Sequence, residues 1–341
     1  MPAARRAGPV IELASVTRQF VITERDPGIR GAVRALLRPK RRIFTAVSDV
    51  SFEVGGGETV ALLGQNGAGK STLIKMLAGA LVPTSGELRV AGRAPHRNRT
   101  ANASRIGVVF GHRTQLWWDL PVRDSFDILG DIYGVPVAER ARRLAAFDAV
   151  LETAELYDKP VRHLSLGQRV RCDLAAALLH DPEVLLLDEP TIGLDVGVKE
   201  QVRRLLRTQT AAGKTIVLTT HDMNEVDRLC ERVVLIRRGA VGFDGPLEEL
   251  RRKYGGQGSV VVEFGSPVPA LRLASAVAEW SGEGRARLVP AAGSSTDDVL
   301  LEVVQRYPVS AVSVERGDLE QVVRNAYLDG AISGVGPAAG G

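Results

Sequence analysis

Two spacings of apolar residues alternate along the chain. Short runs spaced for strands come first, at Val10–Val16 and Val50–Val54, and Glu58–Leu63 and Glu87–Val90 continue that pattern. Val184–Leu187 and Thr215–Thr219 are apolar almost throughout, which predicts strands buried on both faces of a parallel sheet. Val233–Ile236 and Ala240–Phe243, separated by Arg238–Gly239, predict a hairpin. Helical spacing governs residues 122–160, where Phe126, Leu129 and Ile132 precede Leu144, Phe147, Val150 and Leu151.

The texture changes at Gly245–Pro246. A helix is predicted over Leu247–Tyr254 and a turn over Gly255–Gly258. Strands are expected near Ser259–Phe264, Ala286–Pro290 and Ala311–Glu315, with helices near Val268–Trp280, Thr296–Tyr307 and Asp318–Asp329. That order predicts a small α/β module of βαββ or ferredoxin-like type, about eighty residues long. Residues 1–245 therefore read as one domain, 246–330 as a second, and the Gly-, Ala- and Pro-rich residues 331–341 as a disordered tail.

Composition narrows the class. Hydrophobic residues make up 45% and charged residues 25% of the 341, the balance of a soluble globular protein. No apolar run approaches the roughly 18 residues of a membrane span, and the N-terminal residues lack a signal peptide's apolar core. The two cysteines, Cys172 and Cys230, form no metal-type cluster and read as small apolar core residues. Net charge is +4 but unevenly spread. Arg30, Arg34, Arg38, Lys40, Arg41 and Arg42 crowd together, with no acidic residue between Pro27 and Ala46. This basic insertion, 23–43, carries a short amphipathic helix prediction at Gly31–Leu37 and suits either a solvated face or an anionic surface.

GQNGAGKST at 64–72 carries the strongest chemistry. It follows a strand-like run, precedes a helix-like run, and fills G-x-x-x-x-G-K-[ST] with Gly64, Gly69, Lys70 and Ser71. Such a loop lets backbone N–H groups and a helix N-terminus point at one anion. Lys70 is then placed for the β- and γ-phosphates and Ser71 for Mg²⁺. VLLLDEP at 184–190 ends a buried strand with Asp188, a second Mg²⁺ candidate, and Glu189, a base for the attacking water. LSLGQR offers Ser165, Gly167 and Gln168 at a helix start. PTIGLD ends in Asp195, and TTHD places His221 just after a buried strand.

With those ordered motifs, residues 9–245 resemble the nucleotide-binding subunits of ATP-binding cassette transporters. The resemblance implies a P-loop NTPase cassette of the α/β class, with a parallel core sheet, an antiparallel β subdomain and a helical subdomain. It implies ATP and Mg²⁺ as cofactors. The Walker A residues Gly64, Gln65, Asn66, Gly67, Ala68, Gly69, Lys70, Ser71 and Thr72 would bind nucleotide, and Asp188 and Glu189 would form Walker B. Ser165, Gly167 and Gln168 would be the signature, Asp195 the D-loop residue and His221 the switch histidine. Family members work as head-to-tail dimers, so a second copy or another cassette is the implied partner.

This chain departs from the family pattern in three places. Leu166 replaces a signature glycine. His112 stands where the family has the Q-loop glutamine, with Gln115 as the other candidate. Phe20 fits the adenine-stacking position best, with Phe44 the alternative. QLWWDLP, the signature and the C-terminal module further resemble ATPases of bacterial drug, antibiotic and viologen-type exporters. These pair with separate six-helix permeases at the cytoplasmic face of the membrane. Trp117 and Trp118 would meet the permease there, or pack as core. A polysaccharide or teichoic-acid exporter is the alternative; a soluble cassette acting on ribosomes or DNA fits less well, and no nucleic acid is expected.

Overall fold

The computed structural model describes residues 8–24, 40–111, 113–255, 258–266, 268, 271–281, 284–291, 293–315 and 318–332. The chain divides into two compact units, Met1–Gly245 and Pro246–Gly341. The first unit opens with β1 (Pro9–Glu24), β2 (Lys40–Gly55), β3 (Thr59–Leu63), α1 (Lys70–Leu77), β4 (Ser85–Val90), α2 (Arg99–Ala103) and β5 (Ile106–Phe110). Helices α3 (Val122–Ile132), α4 (Val137–Leu151) and α5 (Leu166–Leu178) follow. The unit closes with β6 (Val184–Asp188), α6 (Val196–Ala211), β7 (Thr215–Thr219), α7 (Met223–Leu229), β8 (Arg232–Arg237) and β9 (Ala240–Pro246).

Two sheets organise this unit. One is antiparallel, in the order β2-β1-β4; the other runs β5-β6-β7-β3-β8-β9, with its β5, β6, β7, β3 and β8 pairings parallel. β3 and β7 are buried at every position, as strands covered on both faces must be. α1 lies between the sheets, where Leu73, Ile74 and Leu77 pack with Ile11, Val50 and Phe52 on one side and Leu62, Val217 and Val234 on the other. Arg238 and Gly239, both at positive φ, make the tight turn that the β8–β9 hairpin needs. Cys172 and Cys230 are buried free thiols, and burial pushes Cys172 up to about 12.

Parts of this unit differ from the sequence pattern. β1 and β2 run on to Glu24 and back from Lys40, well into the segment expected as an insertion, because Arg18–Glu24 pairs with Lys40–Val47. The helix expected at Gly31–Leu37 lies outside the described residues. β5 and α2 went unpredicted, since IGVVF is too short to mark itself by periodicity.

The second unit holds α8 (Leu247–Tyr254), β10 (Ser259–Phe264), β11 (Ala276–Trp280), β12 (Arg285–Pro290), α9 (Thr296–Arg306), β13 (Val309–Glu315) and α10 (Leu319–Ile332). It is α/β, but its sheet is antiparallel throughout, in the order β11-β12-β10-β13. The strand order is that of a ferredoxin-like sheet, with β10 crossing over β12 to reach β11. The segment expected as a helix over Val268–Trp280 ends instead as β11, and its described residues 271–275 are not helical. Ala276, Ala278 and Trp280 are spaced for one face of a strand. They pair opposite Pro290, Leu288 and Ala286, which sets the Trp280 ring 5.9 Å from that of Phe264. α10 runs past the expected start of the tail.

The helical part is seated on the parallel sheet by a close approach at Gly107 of β5. A Cβ there would lie 2.4 Å from the Ala177 carbonyl oxygen of α5 and 2.8 Å from a Leu185 methyl. Gly107→Ala is expected to destabilise the protein by about 1–3 kcal/mol, the range for overpacking, read as a lower midpoint of chemical unfolding. An unchanged midpoint would contradict this packing of α5.

Candidate functional site

The parallel register brings the motifs together before any side chain is considered. Leu62 of β3, Thr219 of β7, Asp188 of β6 and Phe110 of β5 are successive cross-strand partners in one row. Gly64, His221, Glu189 and Gly111 therefore all lie within two residues of one line at the carboxyl ends of adjacent strands. In parallel α/β sheets this edge is where ligands bind.

The loop after β3 is shaped by its contacts. A Cβ on Gly64 would come 2.7 Å from the Ile236 carbonyl oxygen, and one on Gly69 would come 2.5 Å from that of Ala46. Gly69 also adopts φ +110 at the N-cap of α1. The β8–β9 turn stitches the loop in place: Gly239 N donates to the Ala68 oxygen at 3.0 Å, and Ser48 N donates to the Gly239 oxygen at 2.8 Å. Lys70 is buried and donates to the carbonyls of Gly64 at 2.6 Å and Gln65 at 3.2 Å. Burial lowers its pKa, while the charges of Glu189 and Asp188 act in the opposite sense. Gln65, Asn66 and Gly67 are exposed at the mouth, and Ala68 is buried. Thr72 lies in the first turn of α1, half-buried.

Asp188 is held from both sides. Thr219 Oγ1 donates to its Oδ1 at 2.6 Å and Ser71 Oγ donates to the same oxygen at 3.1 Å. The next residue, Glu189, sits at φ +51, a left-handed backbone that costs a non-glycine residue about 1–2 kcal/mol. Its N–H, donating to both the carbonyl and the hydroxyl of Thr219 at 3.0 Å, holds it there. The Glu189 carboxylate lies 3.5 Å from Nδ1 of His221, whose ring is largely exposed. Gly111 closes this wall, its N–H donating to the Asp188 oxygen at 2.8 Å. A Cβ on it would meet the Glu189 oxygen at 2.3 Å.

These groups border a cleft of about 740 Å³ lined by Asn66, Gly67, Ser71, Asp188 and Glu189 together with Lys75, Phe110, Gly111, Arg113 and Ile192. Its lining sets the exposed glycine loop, Lys75 and Arg113 with two carboxylates and a hydroxyl. Such a pattern can hold a polyphosphate with a hard cation and place a base beside it. Thr219 and Gly111 were passed over in the sequence. The signal for Thr219 was a hydroxyl ending an apolar strand; Gly111 had only its place after the unpredicted β5.

The signature residues are not among the described residues lining that cleft. Ser165 caps α5 in a reciprocal pair with Gln168, its Oγ accepting from Gln168 N at 3.3 Å while its own N–H donates to Gln168 Oε1 at 3.0 Å. Asp195 likewise caps α6, accepting from Val198 N at 3.0 Å. The two helix starts touch, since a Cβ on Gly167 would lie 3.2 Å from a Val198 methyl.

The two open choices come out differently. Gln115 is spent: its Nε2 donates to the Asp173 carbonyl at 2.9 Å, and its N–H donates to the buried Asp173 carboxyl, which burial raises to about 6. His112 lies outside the described residues, between Gly111 and Arg113. Phe20 and Phe44 are direct cross-strand partners, with the Arg18 guanidinium 4.6 Å above the Phe20 ring. The two aromatics share one face of the hairpin.

Comparison with known proteins agrees with this geometry. Residues 47–192 match the family model described as ABC transporter. The chain is 35% identical over 211 residues to the ABC transporter ATP-binding protein NatA of Bacillus subtilis, covering 62% of this chain and 86% of that one. It is 37% identical over 290 residues to a Nod factor export ATP-binding protein I of Paraburkholderia xenovorans, covering 84% and 90%. Among solved structures, a dimeric ATP-binding cassette in a post-hydrolysis state with ADP and Pi aligns with TM-score 0.58 at 26% identity, covering 70% of this chain and 98% of that one. The chain belongs to the ABC transporter family, as an ATP-binding cassette ATPase.

Proposed function

We propose that this ATPase subunit energises an exporter through a separate membrane permease, working as a head-to-tail dimer at the cytoplasmic face of the membrane. The observation that carries the reading is the convergence of Ser71, Asp188, Glu189 and His221 on one sheet edge beside Lys70. In this reading Lys70 leaves its two carbonyl partners for the β- and γ-phosphates. Ser71 Oγ and Asp188 Oδ1, 3.1 Å apart, are hard oxygen donors that fit Mg²⁺, which when bound offsets phosphate charge. Glu189 orients and deprotonates the attacking water, and His221, 3.5 Å away, holds the water and the γ-phosphate from the other side. Phe20 and Phe44 together provide the apolar face for adenine.

Ser165, Gly167 and Asp195 act across the dimer, closing over nucleotide held by the partner cassette. The capping pair uses a lone pair of Ser165 Oγ and leaves its O–H free to donate to a phosphate. Trp117 and Trp118, 38% and 50% exposed, are the surface we assign to the permease. Export is favoured by the 290-residue match to an export ATPase, which is longer than the first unit of this chain and so extends into the second. We assign drug or antibiotic efflux as the activity, with residues 246–330 as an accessory regulatory domain.

Glu189→Gln keeps shape but removes the base. Steady-state ATP hydrolysis is expected to fall by roughly 10²–10⁴-fold with nucleotide binding retained. Hydrolysis at the parent rate would overturn the assignment. The same variant is expected to sediment as a dimer with ATP and as a monomer with ADP. A monomer at saturating ATP would rule out the homodimer. Deleting the gene should sensitise its host to xenobiotics, with rescue by the parent and not by Glu189→Gln. An altered cell-surface polymer at unchanged sensitivity would favour the polysaccharide reading instead.

A further inference from the structure

The β1–β2 ribbon outruns its own sheet. β4 pairs with β1 only as far as Thr17 opposite Ser85, whereas β1 and β2 stay paired from Arg18 opposite Val47 to Glu24 opposite Lys40. Seven residues at about 3.4 Å each make a two-stranded arm of roughly 20 Å.

Both faces of this arm expose apolar side chains, Ile22 and Phe44 at 48% each on one and the more exposed Val21 and Ile43 on the other. Arg18, Phe20 and Ile22 alternate onto one face with their partners Val47, Phe44 and Arg42. That face looks toward the nucleotide loop, since a Val47 methyl lies 3.4 Å from a Cβ placed on Gly69. The opposite face carries Val21 beside Ile43, then Arg41. Val21 is 64% and Ile43 62% exposed, an adjacent β-branched pair in open solvent. Arg41 is exposed as well, and Arg30, Arg34 and Arg38 fall in the residues joining the two strands, where no acid occurs after Asp26.

We propose that the Val21–Ile43–Arg41 face of this arm docks on the anionic surface of a lipid bilayer. A bilayer interface takes up both kinds of group at once, apolar side chains at the headgroup–acyl boundary and cations against anionic headgroups. A nucleic-acid backbone would satisfy the arginines but offer nothing to Val21 and Ile43. The inference rests on reading the chain as the subunit of a membrane transporter. It adds a contact made by the ATPase itself, independent of the permease.

The test is co-sedimentation of the full chain, without permease, with vesicles of phosphatidylcholine and phosphatidylglycerol in equal parts, and with pure phosphatidylcholine. The parent is expected to bind the mixed vesicles, to bind the neutral ones weakly, and to be released by salt. Val21→Ser/Ile43→Ser with Arg41→Gln should lower partitioning about tenfold or more while ATP hydrolysis stays at the parent level. Equal binding by variant and parent, no salt-sensitive binding by the parent, or preference for duplex DNA over the vesicles would each overturn the proposal. The salt titration of the parent needs no variant to fold. ATP hydrolysis, measured in the same samples, reports separately on the ATPase, and the gene deletion reports on transport.

Discussion

The hydrogen bond from Thr219 to Asp188, at 2.6 Å, ties the ends of two parallel strands at the point where the chemistry begins. A hydrogen bond to a carboxylate contributes about 1.5–3 kcal/mol. Here it also fixes geometry. Thr219 presents a hydroxyl to Asp188 and, through that hydroxyl and its carbonyl, receives the N–H of Glu189. The strands themselves are held in register by β3 and β5 on either side, so the backbone that carries both carboxylates is fixed. The left-handed Glu189 backbone is held by this arrangement, and its carboxylate lies 3.5 Å from His221 at the cleft.

The same closeness explains the glycines. Gly64, Gly69 and Gly111 each stand where another strand's carbonyl oxygen would be within 2.7 Å of a Cβ. The glycine loop is therefore pressed against its neighbours at both ends, Gly64 and Gly69, while Gly67 at its tip faces open space. Lys70 spends its donors on two loop carbonyls in the meantime, a pre-formed geometry that a phosphate can take over.

What the sequence made legible follows from where each signal resides. The glycine-rich loop at 64–72, the Asp188–Glu189 pair and His221 are local spacings at the ends of apolar strands, and the row from Leu62 to Phe110 brings them together without further instruction. Thr219 and Gly111 matter through partners far away in the chain, so no local pattern marks them. Gln115 illustrates the converse. Its residue type suited a phosphate site, but a buried Asp173 on α5 captures it. Ala276–Trp280 falls at the end of the expected helix Val268–Trp280 and is a strand paired with Arg285–Pro290. The choice between Phe20 and Phe44 arose because residues 23–43 interrupt the spacing between them; in the ribbon the two are cross-strand neighbours.

Leu166, the departure from a glycine-rich signature, is accommodated within its own subunit. It is the first residue of α5, and its side chain lies over Gly193, where a Cβ would come within 3.2 Å of a Leu166 methyl. Gly193 adopts φ +70, so the loop leading to Asp195 both requires glycine there and leaves room for the leucine. Ser165 remains exposed ahead of it, with the capping pair fixing its hydroxyl at the helix N-terminus. The leucine thus fastens the starts of α5 and α6 to each other and leaves the N-terminal face of α5 open to an anion. A glycine at this position would leave Gly193 without that contact.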